Sequence, residues 1–367
     1  MTQRLRVGVL FGGRSGEHQV SVVSAAAILE ALDPEKYDVM PIGITAEGRW
    51  LPGVEPRRLL ASGESQVRSL PEHNAMMDNK AILISSSADG RIFAGLKDGL
   101  DIIFPVLHGP FGEDGTVQGL LELSGIPYVG GGVLASALGM DKGFMKEIFR
   151  QAGLPVGKYL VFLRTEWVNA SGMVKRRIDR ELGYPCFVKP VNLGSSVGIS
   201  KVHNSGELAP AMDLAAAYDR RLIVEAGIDG RELECSVLGN DEPIASLPGE
   251  VVPCKEFYDY NAKYVDQKSA LIIPAPLPPE TTARIQELAV KAFKAIDGAG
   301  LARVDFFLTR EGSGLIVNEI NTMPGFTSIS MYPKLWEASG IGYSELVDRL
   351  LDLAMARHAD RGRSRIL

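Results

Sequence analysis

Short apolar runs separated by glycine-rich and charged segments set the rhythm of the first third of the chain. LRVGVLF, over residues 5–11, reads as a strand buried in a parallel sheet. GGRSGE follows, and VSVVSAAAILEAL then repeats its apolar positions at helical spacing until Asp33-Pro34 stops it. YDVMPIGI predicts a second strand, and LDIIFPVLHG, over residues 100–109, a third buried one ending in polar residues. Between them, residues 45–79 are rich in Gly, Pro, Ser and Arg and read as an irregular insertion, followed by a candidate strand at AILIS over 81–85. Strand, helix, strand in this order predicts a doubly wound parallel sheet, whose sites lie beyond the carboxyl ends of its strands. GGRSGEH and HGPFGEDG both sit at such ends.

The pattern changes near Gly130-Gly131-Gly132. A helix over 136–151, a strand, a second helix, and the strands CFVKP and VGISKV around a glycine–serine loop lead to RLIVEAGI. From Gly230 the runs RELECSVLG, EPIASLPGEVV, SALIIPAP, ARVDFFLT and GLIVNEIN predict antiparallel strands, with helices over 279–296 and 343–356. The fold class is therefore α/β and α+β, in three units: residues 1–135, 136–228 and 229–367. A groove between the last two is the natural ligand site. No internal repeat or low-complexity tract appears.

Composition narrows the classes further. With 46% apolar and 23% charged residues the chain reads as a globular protein. A net charge of −6 gives no basic footprint, so nucleic acid is not an expected partner. No apolar run approaches the roughly 20 residues of a membrane span, and the amino terminus lacks the features of a signal peptide. Cys186, Cys235 and Cys254 show neither disulfide nor metal spacing and read as reduced core thiols. The expected location is cytoplasmic, with no membrane partner.

Candidate chemistry concentrates in a few segments. Alternate residues of a strand share a face, so Arg303 and Asp305 of ARVDFF point one way, and Glu319 and Asn321 of VNEIN do likewise. If the two strands pair, two carboxylates and an amide oxygen form a hard-oxygen set suited to Mg²⁺, beside an arginine that calls for an anion. A surface salt bridge on two amphipathic strands is the competing reading. Lys189 ends an apolar strand just before Gly194-Ser195-Ser196-Val197-Gly198, whose backbone N–H groups can fold over phosphates, although a plain hairpin also fits. Lys142, at a helix start, offers a second positive charge or a solvated lysine. Glu17 after GGRSG is either a helix-dipole partner or a carboxylate for an ammonium. His108 is either structural or placed where α/β folds hold ligands. Lys263-Tyr264, in EFYDYNAKYVDQKS, reads as a polar pair on a lid or as a peripheral loop.

Taken together, FGGRSGEHQVS, LHGPFGEDGTVQGLLELSGIPYVG, ALGMDK, VKPVNLGSSVG, FYDYNAKY, ARVDFF and NEINTMPGFTSIS resemble, in order, the D-alanine–D-alanine ligases of the ATP-grasp superfamily. The resemblance implies an N-terminal doubly wound sheet followed by a two-part ATP-grasp fold. It also implies ATP-driven joining of two D-alanines through an acyl phosphate, for peptidoglycan precursors. By this resemblance Lys142 and Lys189 would hold ATP phosphates, under the loop at Ser195 and Ser196. Glu225 and Glu232 would meet the adenine and ribose, with Ala226, Ile228 and Lys263 also at the nucleotide. Asp305, Glu319 and Asn321 would bind two Mg²⁺ ions, or Mn²⁺. Glu17 would take the first D-alanine's ammonium, with His108 beside it. Arg303 and the Gly325 N–H would stabilise the oxyanion, and Ser330 with Lys263 would hold the second D-alanine's carboxylate. Glu17, Ser195 and Tyr264 would form a hydrogen-bonded trio closing the site. A homodimer is implied as well.

Two departures stand out. Ala226 occupies a position where many relatives have an adenine-binding lysine, and the 45–79 insertion is longer than in the shortest relatives. A D-alanine–D-lactate ligase of the same fold is the nearest alternative, although Tyr264 favours the dipeptide enzyme. A nucleotide-binding regulator without ligase activity is a second alternative, and it need not keep Arg303, Asp305, Glu319 and Asn321 intact.

Overall fold

In a computed structural model, the structure describes residues 4–56, 58, 99–252, 270–310 and 314–365. The candidate strand at 81–85, the Lys263-Tyr264 pair, Cys254 and most of the 45–79 insertion lie outside these residues.

The first unit is the doubly wound sheet that its apolar runs predict. Strand β1 (Leu5–Gly12) lies between the parallel neighbours β2 (Tyr37–Ile44) and β4 (Ile102–Val106), and β3 (Trp50–Pro52) adds an antiparallel edge. Helix α1 (His18–Ala31) follows β1, and α2 (Thr116–Ser124) follows β4. Val7, Val9, Phe11 and Phe104 pack on one face, while Leu10, Ile103 and Leu107 pack on the other against Val117 and Leu121 of α2.

Helices α3 (Val133–Met140) and α4 (Lys142–Gln151) replace the single helix read over 136–151. The break is at Asp141, which leaves helical geometry at φ −84°, ψ 97° and accepts the Phe144 N–H on its side chain. An aspartate that caps the second helix ends the first.

The second sheet runs β5 (Tyr159–Leu163), β8 (Arg221–Ala226), β6 (Cys186–Pro190), β7 (Ser200–Val202), all antiparallel. Helices α5 (Arg164–Glu181) and α6 (Leu208–Tyr218) cover it through Trp167, Ile178, Leu208 and Met212. The third sheet has the path β12 (Ala270–Ile272), β11 (Gly249–Val252), β9 (Gly230–Gly239), β13 (Gly300–Thr309), β14 (Leu315–Asn321). The run EPIASLPGEVV gives β11 and a two-residue β10 (Ile244–Ala245) beside β9 rather than one strand. Pro248 lies between the pieces, where proline has no N–H to give a ladder. Helix α7 (Pro279–Ala295) fills one face of this sheet with Ile285, Leu288, Ala292 and Phe293.

Helices α8 (Met331–Ala338) and α9 (Tyr343–Arg361) turn back from the third sheet onto the first. Trp336, Leu346, Val347 and Leu350 share one core with Val7, Phe11 and Ile28. Phe326, 2% exposed, is the hinge pin of this junction. Its ring meets Phe104 edge-on at 5.9 Å and Tyr343 at 5.4 Å, its N–H donates to Ser24 Oγ, and its carbonyl accepts the Tyr343 hydroxyl. Truncating a buried phenylalanine removes transfer energy and leaves a cavity, so Phe326→Ala should cost about 3–5 kcal/mol. The loss should appear as an earlier denaturant midpoint than that of the wild type. An unmoved midpoint would mean that the first unit and the C-terminal helices do not depend on this shared core.

Candidate functional site

A cavity of about 760 Å³ opens between the second and third sheets, lined by Lys142, Lys189, Ser195, Ser196, Glu232, Asp305 and Glu319 among others. Gly157, Phe187, Ala226, Ile228 and Ile316 give it apolar lining, and a Cβ on Gly157 would come within 3.1 Å of Ile228. Elsewhere in the lining the strands place acid and base together.

Strands β13 and β14 pair so that Asp305 faces Glu319 and Arg303 faces Asn321, which brings the four side chains read from the sequence to one place. The Arg303 guanidinium donates to both Asp305 oxygens at 2.7 Å, and its Nε also lies 2.9 Å from Glu234 on β9. Burial alone would lower the arginine's pKa, but Asp305 and Glu234 outweigh it and hold the charge firmly. Asn321 Oδ1 accepts the Met323 N–H at 3.0 Å. Among the described residues no three His, Cys, Asp or Glu side chains converge as a self-sufficient metal cage. The donor set is instead two carboxylates and an amide oxygen, all hard. That fits Mg²⁺, which takes one or two carboxylates and completes its shell with water and phosphate oxygens.

Three lysines face this acid pair. Lys142 opens α4, donates to the Leu193 carbonyl at 2.7 Å and stands 3.9 Å from Glu319. Lys189 ends β6 with its Nζ 2.5 Å from Glu225 on β8. Burial would lower the Lys189 pKa, yet Glu225 and Glu319 raise it overall. For Glu225, burial acts upward, but Lys146 and Lys189 pull its carboxyl well below the usual range. The Glu225 side chain is thus committed to two ammonium groups. Lys146 was not read from the sequence, although it lies one helical turn beyond Lys142 on the same face.

The loop after β6 folds over the lysines. Ser195 and Ser196 both have left-handed backbone, at φ 50° and 59°, which is costly for residues with a Cβ and concentrates at functional positions. Gly198 is needed at φ 71°, where a Cβ would meet Pro190 and Tyr218 within 3 Å. The Ser195 hydroxyl donates to the Glu17 carboxylate, joining this loop to the β1–α1 turn 178 residues away.

Around Glu17 the first unit supplies the remaining groups. Gly109, at φ +73°, leaves room for Glu17, since a Cβ there would lie 2.9 Å from its Oε2. Glu113 accepts the Gly109 N–H at 2.9 Å and is nearly buried. Burial first, and the nearby Glu17 second, push the Glu113 pKa up to about 8. It belongs to HGPFGEDG but carried no signal separating it from an ordinary surface acid. His108 Nδ1 donates to the Met323 carbonyl at 2.9 Å, which leaves Nε2 as the acceptor of a neutral ring. That Nε2 is buried with no hydrogen-bond partner among the described residues, and burial pushes the ring's pKa down despite Glu17. Gly325 lies beside Ser330, whose Oγ accepts the Thr327 N–H at 3.0 Å.

The comparisons agree with this geometry. A family model described as "D-ala D-ala ligase N-terminus" matches residues 6–131, and one described as "D-ala D-ala ligase C-terminus" matches 148–352. The chain is similar to a D-alanine–D-alanine ligase of Thermoanaerobacter sp. (strain X514), at 51% identity over 98% of this chain and 99% of the relative. It is similar to that of Geobacillus thermodenitrificans at 52%, over 98% and 97%. Among solved structures, the D-alanine–D-alanine ligase from Coxiella burnetii superposes with a TM-score of 0.83 at 39% identity, covering 99% of this chain and 97% of that one. The VanG D-Ala:D-Ser ligase from Enterococcus faecalis gives 0.82 at 38%, covering 96% and 100%. By family model, identity and coverage together, the chain belongs to the D-alanine–D-alanine ligase family, whose ATP-grasp architecture its last two sheets share.

Proposed function

We propose that this protein joins two molecules of D-alanine into D-alanyl-D-alanine, with ATP converted to ADP and phosphate. The observation that carries the reading is the Glu17–Ser195 hydrogen bond, which joins the β1–α1 turn to the glycine–serine loop; in this reading the carboxylate takes an ammonium and the loop covers the phosphates. The curated relatives near 51% identity bear the dipeptide ligase name, so the depsipeptide alternative is not favoured. In the same reading the units are 1–135, 136–228 and 229–367, and the enzyme is a cytoplasmic homodimer supplying cell-wall precursors. No described helix is long and apolar enough to cross a membrane.

The first D-alanine lies with its ammonium at Glu17 and within reach of the free acceptor on His108. Its carboxylate oxygen attacks the terminal phosphorus of ATP. The bond to the bridging oxygen breaks, leaving ADP and an acyl phosphate. Lys142 and Lys189 hold the phosphate charge during this step, where positioning and electrostatics supply most of the rate. Asp305, Glu319 and Asn321 are the residues that would hold Mg²⁺, which supplies further neutralisation of phosphoryl charge. The neutral amine of the second D-alanine, its carboxylate held by Ser330 and Lys263, then attacks the carbonyl carbon. Arg303 and the Gly325 N–H receive the oxyanion, and the carbonyl re-forms as inorganic phosphate leaves with the proton shed by the attacking nitrogen. The loop at Ser195 and Ser196, with Tyr264, keeps water from the acyl phosphate. The apolar lining at Phe187, Ala226 and Ile228 takes the adenine, with Glu225 and Glu232 on the nucleoside side.

With ATP, Mg²⁺ and D-alanine the purified protein should release D-alanyl-D-alanine, ADP and phosphate, and L-alanine should be inert. Mass spectrometry of a mixture that also contains D-lactate and D-serine identifies the product. Finding AMP and pyrophosphate would exclude an acyl-phosphate route. Glu319→Gln keeps the side chain's shape but removes its charge, so turnover should fall by about two orders of magnitude or more. Near-normal turnover at saturating Mg²⁺ would reduce Glu319 to a salt-bridge partner of Lys142. Glu113 gives a pH signature. Its folded pKa of about 8 lies above the ordinary 4.5, so between these values the folded state holds a proton that the unfolded state has lost. Its contribution to stability is complete below the lower value and drains away as pH rises towards about 8. Glu113→Gln should therefore gain stability relative to wild type across that window, in denaturation series run at several pH values. A parallel pair of pH profiles would show that Glu113 is not held as the acid.

A further inference from the structure

Lys146 has no part in the reaction derived above, yet its ammonium is more deeply buried than that of Lys142, with residue exposures of 3% and 9%. A lysine taken so far from water needs definite partners. Lys146 has two, on different sheets. Its Nζ lies 2.8 Å from Glu225 Oε1 on β8 and donates to the Asn318 carbonyl on β14 at 2.9 Å. The other Glu225 oxygen holds Lys189. Asn318 is also no ordinary strand residue. The pairing of β13 with β14 runs Asp305 opposite Glu319 and then Phe306 opposite Val317, so Asn318 is passed over at a bulge directly before Glu319. Bulges re-aim the side chains next to them, and the one carbonyl this bulge turns to α4 is the one that Lys146 takes.

We propose that Lys146 is a positioning residue for the nucleotide phosphates: one ammonium shares Glu225 with Lys189 and holds the Asn318 bulge, fixing Lys189 and Glu319 against each other across two sheets. While Lys146 is present, Glu225 divides its charge between two cations, and Lys189 keeps positive potential for a phosphate. Without it, Glu225 closes on Lys189 as a neutral pair, and the bulge that aims Glu319 loses its donor. The inference rests on the ligase reading and concerns only how the phosphates are gripped.

The test compares wild type, Lys146→Met, Glu225→Gln and the double variant by calorimetric titration with ADP and Mg²⁺, alongside the KM for D-alanine. Lys146→Met keeps the length of the side chain and loses its charge, and ADP binding should weaken by about tenfold or more. The KM for D-alanine should stay near the wild-type value. The double variant should bind ADP more tightly than Lys146→Met alone, because the carboxylate that captures Lys189 is gone. Should Lys146→Met not fold, Lys146→Gln takes its place in the same comparison. Wild-type affinity in the single variant overturns the inference. So does a loss that the double variant fails to reduce, or an equal rise in the KM for D-alanine, since either marks a packing role. A wild-type protein that does not bind ADP overturns the ligase reading along with it, whereas the other outcomes leave that reading standing.

Discussion

Glu225 holds Lys146 and Lys189 at 2.8 and 2.5 Å, and the cationic wall of the cleft is built on that buried group of three. A site for nucleotide phosphates needs several cations close together and away from water. Removing each from water has a desolvation penalty of several kcal/mol, and like charges repel in addition. The buried cations Lys142, Lys146, Lys189 and Arg303 each meet that penalty with a carboxylate. Lys142 stands near Glu319, and Arg303 lies between Asp305 and Glu234. Positive charge therefore collects in the cleft of a chain whose net charge is −6. The arrangement leaves each cation able to lean towards an incoming phosphate without first losing its partner.

Such a cluster is useful only if the groups of the first unit are held at a fixed distance from it. The shared core provides that. Trp336 and Leu350 from the C-terminal helices pack with Val7, Phe11 and Ile28 beneath the first sheet. Phe326 ties the residue after Gly325 to Ser24 on α1, one helical stretch beyond Glu17. His108 binds the Met323 carbonyl directly. The loop at Gly325 and the turn at Glu17 thus share one mechanical base, although some 300 residues separate them. A hydrogen bond such as Glu17–Ser195 then costs little ordering, because its carboxylate is already in place before the loop closes.

Much of this was legible in the sequence, and the exceptions have a common cause. Unbroken apolar runs such as residues 5–11 announced buried strands, and two-residue periodicity placed Arg303, Asp305, Glu319 and Asn321 on facing strands before any pairing was known. What the pattern could not show was which charged residues end up inside. Lys146, Glu113 and Glu234 look in sequence like solvated charges on a helix, a loop and a strand. Their importance comes from burial and from partners distant in sequence, such as Glu17 beside Glu113, Arg303 on Glu234 or Asn318 on Lys146. The helix read over 136–151 failed for a local reason, since Asp141 can serve either as a helix residue or as a cap. Tertiary contact with Arg221 on β8 favours the cap.

In the proposed mechanism the acids Glu17 and Glu113 also explain why the two D-alanine positions should differ in strictness. Glu113 is held as the neutral acid by burial and by Glu17, so Glu17 alone is left to answer an ammonium. His108, a neutral ring with its Nε2 lone pair free, offers only an acceptor. Both groups call for a hydrogen-bond donor, and Glu17 for a positive one. A hydroxy acid bound first brings no cation, and the half-buried Glu17 carboxylate would then lack its counter-charge. The nucleophile in the second position is met differently. In the proposed mechanism it is recognised through its carboxylate and attacks as a neutral amine, so nothing in the acid pair tests its head group. Discrimination between an amine and a hydroxyl there must come from the groups around the oxyanion and the lid. In that mechanism the first site selects by charge, and the second by reactivity at the moment the acyl phosphate is attacked.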